Sequence, residues 1–449
     1  MEVDAQKRGA SLVGHVRLST ALGGLALATI SVSFLSQWYA LTELGAGTQT
    51  DALFAGMVIP QLVLAIVSDS LGFAIVPLLA TSTAEDSRRE GWSIFQCVGL
   101  FFSAIAFVLI IFAPYWVPFL VPGFDDEGIA LTIYLVRFQS FLMILIALNA
   151  ILRSIYHARQ RFVFAETSLA VASVISFLFL LWSLPKYGVV AVVWSFILRS
   201  TLVMLFLLPG MGAYNPLNLR SPLLREIWIR IRPLLIGTTY YRSELVLDRF
   251  LSSMAPSGGL SLLYFGQQIY GASGQILNRS IAAPMIPQLS KHAYAGNWSS
   301  FRANYRTRLL SLVCLTLVGC FLLLFLGEPI LKFIFGRKNM TSSDIHLLWV
   351  IMVALCGMLI GDPVNHTICS TFYSIGDTKT PTKIGMYVYT IAIIGKLFAF
   401  VIWGIVGIAV AASLFYAIKV LILLGRLNLV IKNNCRIQEN VSKELKFAP

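Results

Sequence analysis

Apolar residues in this chain come in continuous runs of about twenty or more, each long enough to cross hydrocarbon as a helix. Short polar stretches separate them. The pattern predicts twelve spans, near 17–42, 52–80, 92–120, 129–152, 163–184, 187–209, 229–254, 259–288, 307–332, 345–372, 382–402 and 405–425. Alternation with period two, the mark of a membrane β-barrel, is missing from them. The expected fold is an all-α polytopic membrane protein. Residues 1–209 read as one six-helix lobe, 210–228 as a basic linker, 229–426 as a second lobe and 427–449 as a polar tail. Met1 to His15 is polar and the first run has no clear cleavage site, so it reads as a retained helix.

A repeat supports two lobes. Ala74-Ile-Val-Pro-Leu-Leu echoes Pro284-Met-Ile-Pro-Gln-Leu. Arg153-Ser-Ile-Tyr-His-Ala-Arg echoes Ser370-Thr-Phe-Tyr-Ser-Ile-Gly, and Gly188-Val-Val-Ala-Val-Val echoes Gly407-Ile-Ala-Val-Ala-Ala. The copies lie an even number of spans apart. That predicts parallel repeats about an axis along the membrane normal, pseudo-symmetric lobes enclosing a central cavity, and alternating access by rocking.

Composition agrees: 57% of residues are hydrophobic and 12% charged, about half the charged share of a soluble domain. The net charge of +13 invites a nucleic-acid reading, but its distribution argues against one. Loops on the N-terminal side hold Lys7, Arg8, Arg88, Arg89, Arg159, Arg161 and many more cations. The opposite side holds Lys186, Lys332, Arg337 and Lys338 beside the acidic run Asp125, Asp126 and Glu127. This bias predicts cytoplasmic termini, with the cations facing the phospholipid bilayer and no nucleic-acid partner. The six cysteines are scattered with no CxxC pair and read as free thiols. Phosphate-loop and His-Glu-x-x-His motifs are absent and the loops are short, so neither an enzyme nor a cofactor is expected.

Candidate chemistry lies in the exceptions to apolarity. Arg242, Glu244, Asp248 and Arg249 share the run 229–254, and Lys396 stands alone in span eleven. Ionisable groups at such depth cost several kcal/mol each unless paired or hydrated, so they mark a polar pathway or a buried lock. Arg242 reads either as a cavity residue or as a partner of Glu244 or Asp69. Asp51 reads as a gate residue or, with Thr50, as a helix N-cap. Asp377, with Thr378 and Pro381, reads as a turn and helix start that would also sit at a gate. Asp362-Pro363 predicts a break in span ten, and His366 reads as a core histidine.

Six segments then stand out in order: Gly45-Ala-Gly-Thr-Gln-Thr-Asp-Ala-Leu-Phe, Val121-Pro-Gly-Phe-Asp, Leu262-Leu-Tyr-Phe-Gly, Ile286-Pro-Gln-Leu-Ser-Lys-His-Ala, Ile334-Phe-Gly-Arg and Phe372-Tyr-Ser-Ile-Gly-Asp-Thr-Lys-Thr-Pro. Together they resemble the MurJ (MviN) lipid II flippases of the multidrug/oligosaccharidyl-lipid/polysaccharide exporter superfamily. The resemblance implies a MATE-like fold in the bacterial inner membrane. It also implies a flippase that turns an undecaprenyl-pyrophosphate-linked saccharide toward the periplasm, and it makes cell-envelope glycosyltransferases candidate partners.

Departures from the family pattern concentrate in the implied cavity. Ser36-Gln37 replaces an Arg-Asp pair, Val58 replaces an Arg, and Gln267-Gln268 replaces Asp-Arg; Arg137 is retained. Arg137, Arg199 and Arg279 read as phosphate contacts or as interfacial anchors. The family's sodium ligands match Asp248 but also Ala392, Lys396 and Ala412. That match implies that the Lys396 ammonium replaces sodium beside Asp248; the alternative is a snorkelling lysine. The missing arginines also leave open an exopolysaccharide substrate, an ion-coupled multidrug exporter, or a cell-envelope scaffold that transports nothing.

Overall fold

The computed structural model describes residues 2–65, 75, 84–218, 224–229, 240, 242–336 and 339–447, with the side chains of a few of these, chiefly near the two ends, left out. Much of spans two and seven, including Asp69 and most of the repeat at 74–79, lies outside the described residues.

Helices account for nearly all of the rest, and the described residues include no strand. They are α1 (Glu2–Leu44), α2 (Thr48–Gly56), α3 (Ala84–Ile111), α4 (Ala113–Leu120), α5 (Asp126–Ala158), α6 (Phe162–Tyr187), α7 (Val189–Leu207), α8 (Glu244–Ser253), α9 (Gly259–Leu277), α10 (Ala283–Tyr294), α11 (Trp298–Phe335), α12 (Ser342–Ala354), α13 (Cys356–Ser374) and α14 (Lys379–Phe447). A 3₁₀ turn, Leu208–Met211, follows α7, and a π-turn, Asn278–Ala282, joins α9 to α10. Among the described residues, eight helical stretches are long and apolar enough to cross a membrane. With 33 residues, α5 is about 50 Å long, ample for a bilayer core.

Polar residues start and stop these helices. Asp125 accepts a hydrogen bond from Gly128 N–H (2.9 Å) at the start of α5, and Asp126 and Glu127 follow in its first turn, where acidic groups oppose the helix dipole favourably. Asn297 caps α11 through Ser300 N–H (3.1 Å). The outer faces are apolar: Phe321, Phe325 and Phe333 on α11 and Val401 and Ile402 on α14 are exposed. Such a surface suits acyl chains rather than water.

The chain forms two compact units, Met1–Gly258 and Gly259–Pro449. In the first, α5 is the central helix, packed against α2, α3, α4, α6 and α7, while α1 lies along α6. In the second, α13 is central and packs on α9, α10, α11 and α14. Gly357 and Gly361 make that last contact close: a Cβ on either would lie 2.5 Å from Ser413 or Tyr416. Small residues one turn apart let membrane helices approach.

The described parts of the segment expected to join the lobes, 210–218 and 224–228, are fastened to the first unit. Met211 and Ile227 are buried in a core with Ile94, Ile151, Ile155 and Leu207. Gln96 Nε2 donates to Asn215 O (3.1 Å). Helix α8 packs on α2 and α4, so the division between the units falls at Gly258.

Two details differ from the sequence reading. Helix α13 runs through Pro363; span ten bends instead at Leu355, the junction of α12 and α13, where ψ is 0°. A proline in a helix removes one N–H, and here the ring is accommodated without ending the helix. The repeat also has a different register. Gly188, between α6 and α7, has φ 58° and ψ −144°, and Gly404, inside α14, has φ 58° and ψ −136°. Gly404, not Gly407, is therefore the counterpart of Gly188. Positive φ is open to glycine at little cost, and each of these glycines ends one span and starts the next.

Candidate functional site

At one end of the first unit the turn Gly45–Gly47 leads into α2. Thr50 Oγ1 accepts from Gly47 N–H and donates to Gly45 O, both at 3.0 Å. Thr50 thus tightens the turn, and the N-cap position belongs to Gly47. Asp51 is not the cap. Its side chain is buried (3% exposed), and its Oδ2 accepts from Gly258 N–H at 2.6 Å, in the loop after α8. Beside this bond Thr48 Oγ1 and Ser257 Oγ are 3.3 Å apart. Gly258 has φ +90°, and a Cβ there would lie 2.9 Å from the Ala46 carbonyl. Gly123 meets Ser253 and Met254 as closely. A cavity of about 210 Å³ remains between these loops, lined by Thr48, Asp51, Asp125, Ser253 and Ser257. The geometry is a latch: a carboxylate in α2 holding a loop that begins 200 residues later in the chain.

A larger cavity, about 460 Å³, lies within the same unit between α1, α5, α6 and α7. Asn149, Arg153 and His157 descend one face of α5 at helical spacing into it, and Arg199 and Ser200 enter from α7. Arg153 Nη2 pairs with Glu166 Oε1 of α6 at 2.8 Å, and His157 Nε2 is 3.8 Å from the same oxygen. Asn149 Nδ2 donates to Ser200 O (2.8 Å). Arg199 Nη1 donates to Ser33 Oγ (3.3 Å). Glu166 was not among the candidates read from the sequence. Its signal was present all the same: Arg153 and Glu166 flank the short turn at 159–161, six residues before it and five after.

The remaining candidates are dispersed. Asp248 (4% exposed) and Arg249 (3%) are buried in α8, Glu244 is half-buried and Arg242 exposed. Lys396 is 1% exposed, so its ammonium does not snorkel to an interface. Ser36 Oγ donates to Val32 O of its own helix (2.9 Å), and Gln37 is half-buried. Gln268 Nε2 donates to the Tyr264 hydroxyl one turn earlier. Arg137 is exposed on the face of α5 that also carries Tyr134 and Phe141. The Arg279 side chain lies outside the described residues.

Asp377 starts α14, accepting from Thr380 N–H at 3.0 Å. Burial alone would raise its carboxyl, but the Thr380 and Lys379 hydrogen bonds and the Lys379 charge outweigh that and hold it below its ordinary value. His366 is not a core residue. Its side chain is half exposed, with Nε2 3.7 Å from Asp362 Oδ1 one turn earlier. Among the described residues no three His, Cys, Asp or Glu groups are arranged to hold a metal ion.

A solved structure of lipid II flippase MurJ in an inward closed conformation superposes with a TM-score of 0.79 at 19% identity, covering 95% of this chain and 93% of that one. An inward-facing multidrug resistance MATE family transporter of the MOP superfamily gives 0.75 at 12%, covering 91% and 96%. At these identities the likeness is one of fold. In sequence, a probable lipid II flippase MurJ of Buchnera aphidicola subsp. Acyrthosiphon pisum (strain APS) is 24% identical over 400 residues, 85% of this chain and 78% of that protein. The lipid II flippase MurJ of Burkholderia cenocepacia is 23% identical over 364 residues, 76% of this chain and 70% of its own. The family model described as lipid II flippase MurJ matches residues 41–437; the chain belongs to the MurJ family of membrane transporters, not to an enzyme family.

Proposed function

We propose that this protein is a flippase of the bacterial inner membrane that carries an undecaprenyl-pyrophosphate-linked saccharide, by default lipid II, from the cytoplasmic to the periplasmic leaflet by alternating access. The match of the family model to residues 41–437 carries this reading. The charge bias of the loops supports cytoplasmic termini. On that orientation the Asp51–Gly258 bond lies on the periplasmic side and serves as a gate latch that must release once per cycle. The cation once expected of sodium is supplied, on this reading, by Lys396, with Asp248 as its counter-charge. Support comes from the burial of each residue and from the cost of leaving either charge unpaired. Cell-envelope glycosyltransferases are the partners that this substrate would require. The deciding experiment is complementation of a strain depleted of its own lipid II flippase. Growth and restored lipid II turnover are the expected result. Failure by a chain that reaches the membrane at normal levels would exclude lipid II and leave a polysaccharide repeat unit as the substrate to test.

A further inference from the structure

We infer that Cys320 and Cys356, inside the second unit, form a redox modification site: a small two-electron oxidant converts them to a disulfide that ties α11 to α13 at the bend in span ten. Both thiols are free and half-buried. Helices α11 and α13 pack on one another. At this level Cys320 Sγ lies 3.8 Å from the Cys356 carbonyl, and the two side chains interact directly. The Tyr270 hydroxyl of α9 completes the group, 4.0 Å from Cys356 Sγ. A small movement brings sulfur to sulfur.

The pair sits where a cross-link has mechanical effect. Cys356 follows Leu355, at which α12 gives way to α13. Carbonyls that an unbroken helix would use are held here by other side chains. Tyr270 donates to Met352 O at 2.6 Å, and Ser413 Oγ of α14 donates to Ala354 O. Such hydrogen bonds can break and re-form as the bend changes; a covalent bond from α11 cannot. Depth selects the oxidant. Cys320 is 15 residues from the end of α11, about 22 Å along its axis, so the pair lies in the hydrocarbon interior. Charged thiols of the cytosol stay in water, whereas hydrogen peroxide is small and uncharged. One thiol attacks a peroxide oxygen and breaks the O–O bond, giving a sulfenic acid and water. The second thiol attacks that sulfur, and the hydroxyl leaves with the remaining thiol proton as a second water. Two thiols and one peroxide thus give one disulfide and two waters, with sulfur oxidised and oxygen reduced.

Mass spectrometry of the purified full-length chain in detergent tests it. The chain is treated with hydrogen peroxide, blocked with N-ethylmaleimide and digested. A peptide pair joined through Cys320 and Cys356 is expected, and uncharged dithiothreitol should separate it. The link should be missing from Cys320→Ser and from Cys356→Ala, and kept in Cys314→Ser, which removes an exposed thiol of the same helix. The main result is read on the unsubstituted chain, so it stands even if a variant does not fold. Hydrogen exchange of the amides at 353–359 should slow several-fold in the oxidised chain and recover on reduction. Oxidation of Cys314 while Cys320 and Cys356 stay reduced would overturn the assignment. So would a joined peptide pair with exchange at the bend unchanged. Neither readout involves transport, so the outcome is independent of the complementation experiment.

Discussion

Replacing Asp51 by Ala should loosen the latch by an amount the geometry allows to be worked out. The Oδ2–Gly258 N bond is short, 2.6 Å, and both residues are buried. Hydrogen bonds to a charged group contribute about 1.5–3 kcal/mol, and stranding the buried N–H adds a penalty of similar order. Taking about 2–3 kcal/mol as the net effect, the open population of the loop rises roughly 30–150-fold. Ser253 is a suitable reporter. It is 1% exposed, lines the smaller cavity and differs from Cys by one atom. In a background lacking the six native cysteines, Ser253→Cys should react slowly with a membrane-impermeant maleimide. Adding Asp51→Ala should accelerate labelling by that factor, provided opening is rapid compared with labelling. Asp51→Asn keeps a neutral acceptor and should give a smaller rise, about 5–10-fold. Equal labelling rates in all three proteins would refute the claim that this bond holds the loop.

Other positions give independent checks. Gly258→Ala combines a positive φ with a Cβ 2.9 Å from the Ala46 carbonyl, and should lower the melting temperature more than Gly404→Ala. At Gly404 the added methyl meets nothing within 4 Å, leaving only the backbone cost of a conformation that suits glycine, about 1–3 kcal/mol. Asp377→Ala should cost about 0.5–2 kcal/mol as a lost cap. Because the Asp377 carboxyl is held below its ordinary value, its contribution is complete above the unfolded value near ~4. It disappears as pH falls through the lower folded value, so melting curves of parent and variant should converge in acid and separate near neutrality. For the proposed pairing, Lys396→Met alone or Asp248→Asn alone should destabilise by about 3–5 kcal/mol, and the double variant should recover most of the loss. Additive losses in thermal unfolding would argue against the pairing.

The helices were legible because lipid imposes one rule on every span: about twenty apolar residues with all backbone groups bonded internally. The start of α14 was legible too, since Asp377 and Thr380 lie three residues apart. What the chain hides are partners distant in sequence. Asp51 looked like a cap because Thr50 and Gly47 form a helix start beside it, while its true partner is 207 residues away. Arg153 and Glu166 flank a short turn, and opposite charges in adjoining helical ends were the signal for their pairing. Arg199 gave no such signal, because a lone arginine in a span reads alike whether it meets lipid headgroups or a cavity. The break in span ten was assigned to Pro363, although the bend at Leu355 comes from the backbone of a residue with no breaking tendency of its own. Matching side chains paired Gly188 with Gly407, whereas matching dihedrals pair it with Gly404.

That last pairing bears on ancestry. Dihedral angles agreeing within 8° in ψ, at equivalent joints of the two halves, outlast the side chains around them because no other amino acid takes that turn cheaply. The residues that follow differ: Val189-Val-Ala after one glycine and Ile405-Val-Gly after the other. A duplicated gene leaves such a record: its age is better read from the joints that could not change than from the surfaces that could.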